Sequence, residues 1–74
     1  MIGYAVIIEH GEDSFGAYVP ELPGVGVVGE SVEEVERLVR EAIGLHLESL
    51  RAHGEPVPRP STVAATVVEA PPAA

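Results

Sequence analysis

The sequence contains no cysteine, lysine, asparagine, glutamine or tryptophan. Without cysteine no disulfide can cross-link the chain, and a structural zinc site built on thiolates is excluded. The chain has 74 residues, and a domain of that size buries only about 60% of the surface that its unfolded form exposes. Small domains without disulfides or a structural metal often gain stability by associating with other chains. We therefore expect a homo-oligomer, either a dimer or a tetramer, or a complex with another chain.

The missing amide and thiol side chains also bear on heat stability. Asparagine, glutamine and cysteine are thermolabile, and every basic side chain is an arginine: Arg37, Arg40, Arg51 and Arg59. This composition favours a thermophile as the source, although a GC-rich genome would favour the same residues. A heat-stable protein is thus a hypothesis that a melting temperature tests.

Positive charge is scarce. Four basic residues against 12 acidic ones give a net charge of −8 and a sequence pI near 4.6. Such a chain is repelled by DNA, RNA and anionic membrane surfaces, which argues against direct binding to any of them. The charge favours a basic protein partner; the alternative, weighted equally, is that acidity only keeps a small protein in solution.

Long apolar runs are absent as well. No stretch approaches the roughly 20 apolar residues that span a bilayer. The N-terminal segment, residues 1–9, lacks the basic region that begins a signal peptide. We expect a cytoplasmic protein without membrane contact.

Three short strands are predicted in the first half of the chain. Residues 2–9 are rich in β-branched side chains, and their near-continuous apolar run is typical of a central strand. A polar turn leads into a second strand at residues 15–19, which Pro20 ends because proline cannot donate to the ladder. Pro23 and Gly24 then fit a type II turn, and residues 25–28 form the third strand before Gly29, a flexible or bulged point.

A helix is predicted from Val32 to about His53. Ser31 is the N-cap, and Glu34 completes a capping box; Gly54 stands where a left-handed C-cap residue belongs. The apolar arc of this helix spans close to 200°, more than one small sheet covers. Leu38 and Leu45 on its flank are therefore candidates for an oligomer interface; alternatively, the C-terminal tail folds back over them.

A fourth strand is predicted at residues 62–69, after a proline-rich connector at residues 55–61, and residues 70–74 are expected to fray. The element order is then β-β-β-α-β, an α+β two-layer sandwich. A right-handed crossover would return the last strand beside and parallel to the first. Residues 1–69 form the single domain.

No constellation of residues supports catalysis, a metal site or a cofactor. Glu9 with Asp13 makes at most a weak divalent-metal site. The glycines at 24, 26 and 29 spell a dinucleotide fingerprint, but they lie between short strands, and turn geometry explains them better.

The order of several motifs resembles the HicB antitoxin family. The family pattern is a hairpin, Pro-x-Leu-Pro-Gly, a short strand, Gly-Asp-Thr, Glu-Glu-Ala, a helix and a closing Ile-Pro-x-Pro-Ser. The matches cover most of residues 2–69 and are Pro20-Glu21-Leu22-Pro23-Gly24, Gly29-Glu30-Ser31, Glu33-Glu34-Val35, Glu41-Ala42-Ile43 and Val57-Pro58-Arg59-Pro60-Ser61. Ser31 and Val35 replace the usual Thr and Ala, changes that keep the capping chemistry and the apolar character.

The resemblance implies a truncated ribonuclease-H-like fold without nuclease activity. It also implies a partner: HicA, a small basic toxin that cleaves mRNA and is neutralised by protein–protein contact. Glu9, Glu12, Asp13 and Glu21, near the hairpin turns, are the candidate contacts. Many relatives carry a DNA-binding extension after the last strand; this chain reaches Ala74 without one, so we expect a stand-alone domain that does not bind DNA directly.

Two other functions remain open. The chain could be an orphan homo-oligomeric domain that binds another basic protein. In the least favoured alternative it is a nuclease remnant that uses Glu9 and Asp13 with a divalent metal.

Overall fold

A computed structural model describes residues 3–72 and contains three strands and one helix. The strands are β1 (Ile7–His10), β2 (Phe15–Tyr18) and β3 (Gly26–Gly29), and the helix is α1 (Val32–Ala52). The α+β class, with three antiparallel strands followed by one helix, is confirmed. The predicted first strand, residues 2–9, begins too early: Ile2 lies outside the described residues, and within them the strand starts only at Ile7. Residues 73–74 of the predicted frayed tail also lie outside the described residues.

The sheet is antiparallel with the strand order β1-β2-β3. Ile8 pairs with Ala17, which pairs with Val27, so this row of side chains lies on one face of the sheet. The face packs against α1. The buried core consists of small apolar side chains: Ala17, Val19, Leu22, Val25, Val35 and Val39. No larger side chain than Leu22 is fully buried in the described part of the chain.

The connection between β2 and β3 is a tight turn built on Pro23 and Gly24. The Val25 N–H donates to the Leu22 carbonyl at 3.1 Å, and Gly24 has φ of 91°. A positive φ at the third position is the geometry of a type II turn, with proline presetting the second position. The turn buries Leu22 completely beneath the helix and sheet.

Local capping fixes both ends of α1. The Ser31 Oγ accepts a hydrogen bond from the Glu34 N–H at 3.1 Å. The Glu34 carboxylate accepts from the Glu30 N–H at 3.1 Å, one residue before the position usual for a capping box. At the other end Gly54 has φ of 68°, the left-handed conformation that ends a helix.

The predicted fourth strand is wrong. Residues 62–69 form no strand and join no ladder in the described structure, and Val63, Val67 and Val68 are 100%, 98% and 80% exposed. β1 is consequently an edge strand rather than the expected central one. β-Branched residues favour an extended backbone, but they do not by themselves supply a hydrogen-bonding partner.

The unpaired C-terminal segment gives the molecule an elongated shape. The radius of gyration is 14.6 Å and the longest axis is 51 Å. A compact domain of this length would have a radius of gyration of about 11 Å. Part of the chain therefore extends away from the sheet and helix.

Candidate functional site

The antiparallel topology collects acidic side chains at one end of the molecule. The β1–β2 turn follows His10, which pairs with Phe15, and Phe15 also pairs with Gly29 at the end of β3. The turn at residues 11–14 and the start of α1 therefore lie at the same end of the sheet. We call this end, formed by Glu9, Glu12, Asp13, Glu30 and Glu33, the acidic end.

The β1–β2 turn presents three of these carboxylates to solvent. The Gly11 N–H donates to the Ser14 carbonyl at 2.8 Å, which closes the turn. Glu9, Glu12 and Asp13 are exposed. Beneath them His10 contacts Phe15 edge to face, with ring centroids 4.9 Å apart. This contact holds the base of the hairpin together.

The start of α1 adds Glu30 and Glu33, both exposed. They lie in or next to the first helical turn, where the helix dipole favours negative charge. They are not among the site residues predicted from the sequence, because the helix dipole alone accounts for negative charge at a helix start. Segments 9–14 and 29–34 hold six of the 12 acidic residues and no arginine or lysine.

Gly29 brings the two parts of the acidic end close together. A Cβ atom at this position would lie 2.5 Å from Glu34 Oε1 and 3.0 Å from Val35 Cγ1. A side chain here would have to displace the Glu34 carboxylate and would press on Val35, so glycine lets the helix start directly against β3. The spacing between hairpin and helix thus depends on this glycine.

Glu21 lies at the opposite end of the molecule, apart from the other three predicted contacts. It follows β2, in the connection that returns to β3. Its Oε2 accepts hydrogen bonds from the Ser61 N–H at 2.5 Å and the Ser61 hydroxyl at 2.7 Å. These bonds, the hydroxyl's first, lower the pKa of the Glu21 carboxyl from its ordinary value, against a smaller opposing effect of desolvation. Glu21 therefore attaches the C-terminal connector to the domain; that it also contacts a partner stays a prediction.

The two candidate interface leucines differ in exposure. Leu45 is 67% exposed and borders a shallow hollow with Gly24, Gly26 and His46. Leu38, two turns earlier on the same helix, is half-buried. Leu45 is thus available for contact with another molecule, and Leu38 only along its edge.

Within residues 3–72, no group of three or more histidine, aspartate or glutamate side chains is arranged to hold a metal ion. Glu9 and Asp13, the pair considered for a nuclease remnant, lie in β1 and in the following turn. α1 does not have the combination of length and apolar character that a membrane-crossing helix needs.

The described residues form a small α+β domain with exposed carboxylates at one end. Residues 4–72 match the family model of the HicB-like antitoxin of bacterial toxin–antitoxin systems. This match spans nearly the whole chain, so the protein belongs to the HicB-like antitoxin family.

Two relatives agree with this assignment. The chain is similar to a UPF0150 protein of Thermoplasma acidophilum, with 38% identity over 65 residues that cover 86% of this chain and 94% of the relative. It is also similar to a UPF0150 protein of Synechocystis, with 39% identity over 57 residues that cover 76% of this chain and 72% of the relative. No solved structure matches the chain significantly.

Proposed function

We propose that this protein neutralises a small, basic, mRNA-cleaving toxin of the HicA type by direct protein–protein contact in the cytoplasm, without catalysing a reaction itself. Membership of the antitoxin family supports a toxin as the partner. The observation that carries the proposal is the acidic end, where five exposed carboxylates stand without a neighbouring lysine or arginine in the sequence segments that form it.

The charge of this surface suits the proposed partner. A toxin that cleaves mRNA must attract a polyanion, so its RNA-binding face is cationic. Opposite charges steer two proteins together and fix their relative orientation. The acidic end would cover the cationic face and compete with RNA for it. In this proposal Glu9, Glu12 and Asp13 contact the toxin from the hairpin, and Glu30 and Glu33 do so from the helix start.

Glu21 has a different part in this proposal. It lies at the far end of the sheet and is occupied by Ser61. It would take part in toxin binding only if the toxin wrapped around to that end. The family resemblance also implies a fold related to ribonuclease H, and the proposal includes that fold. Toxin binding through the acidic end does not depend on it.

Co-expression with the product of the neighbouring gene tests the proposal. The expected result is that expression of that product alone stops growth, that co-expression of this chain restores it, and that the two proteins purify together. Failure to bind, with growth unaffected by either protein, would reject the antitoxin function. It would favour the orphan domain, for which the exposed Leu45 is the supporting observation.

A further inference from the structure

The C-terminal segment, residues 62–69, has the sequence of a strand and no ladder to join. Five of its eight residues are β-branched: Thr62, Val63, Thr66, Val67 and Val68. Its three valines are at least 80% exposed, the highest exposure of any large apolar side chain in residues 3–72. Exposed valines in such a β-branched segment are typical of a segment that pairs with another sheet.

The other half of such a pairing is β1. It is an edge strand with unpaired backbone groups on its outer side. Natural edge strands are usually protected by charge or proline. β1 carries one charged residue, Glu9, and the run that leads into it, residues 5–8, is uniformly apolar. Beside β1 an open groove of about 600 Å³ runs between the sheet edge and α1, lined mainly by Tyr4, Val6, Ile8, Val39 and Ile43.

The connector holds the segment's starting point in place. The Tyr4 hydroxyl donates to the Pro58 carbonyl, and Glu21 holds Ser61. Prolines 56, 58 and 60 stiffen the approach. Residues 62–65 pass beside residues 3–6 of their own chain, and the chain then leaves the domain, with Val67 98% exposed although its own groove is open.

We propose that residues 62–69 of one copy pair with β1 of a second copy and cover its groove, so that two chains exchange their C-terminal segments. The exchange is a symmetric dimer in which each chain completes the other's sheet. The shortness of the connector favours such exchange over folding back. The exchange would also enlarge a core that contains six buried apolar residues among residues 3–72, none larger than leucine.

Charge favours a second copy over the basic toxin as the occupant of this groove. Residues 62–69 carry a single charge, Glu69, and the groove carries one of each sign, Glu36 and Arg40. Two chains of net charge −8 can therefore meet here with little repulsion. Of the acidic end only Glu9 lies in the paired strand β1, and its other four carboxylates stay outside the pairing, so this dimer does not depend on the proposed toxin binding.

Cross-linking can separate exchange between chains from folding back within a chain, because the natural chain has no cysteine. Val67→Cys protein is mixed with Val6→Cys protein and treated with a short bismaleimide. The expected product carries one chain of each variant and has twice the 7.7 kDa mass. The matched control replaces Val6→Cys by Val28→Cys, an exposed position in β3, and should give much less of the mixed product.

A double variant that carries both Val6→Cys and Val67→Cys tests whether the segment instead folds back within its own chain. A cross-link confined to one chain, at every protein concentration, would show that the segment folds back.

Deuterium exchange of the unmodified protein provides a second readout. We expect the amides of residues 63–69 to exchange at least about tenfold more slowly than in an unstructured peptide, with protection lost on dilution. Unprotected amides at high protein concentration would overturn the proposal.

Discussion

Glu21 and Ser61, 40 residues apart in the sequence, are joined by two hydrogen bonds to one carboxylate oxygen. The other oxygen, Oε1, is buried without a partner in the described structure. This attachment decides where the C-terminal segment leaves the domain. An acidic residue that charge alone would assign to a partner surface is thus part of the chain's own architecture.

The Glu21–Ser61 attachment should weaken in acid. Because the pKa of Glu21 is lowered in the folded protein, its contribution to stability is fully present above the ordinary value of 4.5. It is lost as the pH falls below 4.5 through the lowered pKa. The Ser61 amide resonance should therefore titrate with a midpoint below 4.5. In the Glu21→Gln variant that titration should vanish; a midpoint at or above 4.5 in the unmodified protein would contradict the hydrogen-bond account.

Gly29→Ala should destabilise the domain by about 1–2 kcal/mol, because the added Cβ displaces the Glu34 carboxylate from its capping position and presses on Val35. Gly44→Ala is the matched control, since nothing lies within 4 Å of its added Cβ on the exposed side of α1. That variant should be more stable by up to about 1 kcal/mol. Urea unfolding measures both. Equal effects of the two substitutions would show that Gly29 is not a close-packing position.

Replacing both Leu38 and Leu45 with Glu should lower the oligomeric mass measured by light scattering, if this flank of α1 joins two dimers into a tetramer. Leu45 is 67% exposed, so the substitution there should not unfold the chain. Leu45→Glu alone is the gentler variant, because Leu38 is half-buried. An unchanged mass for a folded double variant would remove this flank as an interface and leave the segment exchange as the only proposed contact between copies.

Thermal unfolding tests the hypothesis of a heat-stable source. The chain lacks the thermolabile amides and thiols, and prolines restrict its connector. We expect a melting temperature above about 60 °C, beyond the range of most mesophile domains. A lower value, measured at a protein concentration where the chain is associated, would indicate that the composition reflects codon usage instead.

The sequence was most informative where the signals were local. The cap at Ser31, the helical period and Gly54 together predicted α1 to within a residue, and Pro23 with Gly24 predicted the β2–β3 turn. Each of these features depends on neighbours within a few residues. The prediction of a fourth strand failed because a strand forms only beside a hydrogen-bonding partner, and composition does not identify that partner.

The candidate site required topology that no local motif contains. Glu30 and Glu33 join Glu12 and Asp13 only because Phe15 pairs with both His10 and Gly29. The separation of Glu21 was accessible from the sequence, because successive hairpin turns lie at opposite ends of an antiparallel sheet. The hydrogen bonds between Glu21 and Ser61 could not be predicted in this way, because the two residues are 40 positions apart in the sequence.

The most direct test of the proposed function compares charge reversals at the two ends of the molecule. Inhibition of the toxin's ribonuclease activity is titrated with three proteins. They are the unmodified protein, a triple variant with Glu12→Arg, Asp13→Arg and Glu33→Arg, and a control. The control, away from the acidic end, is a double variant with Glu48→Arg and Glu55→Arg. We expect the first variant to need at least about tenfold more protein, an effect of roughly 1.4 kcal/mol that shrinks at high salt. The control should change little. Equal inhibition by all three proteins would contradict toxin binding through the acidic end.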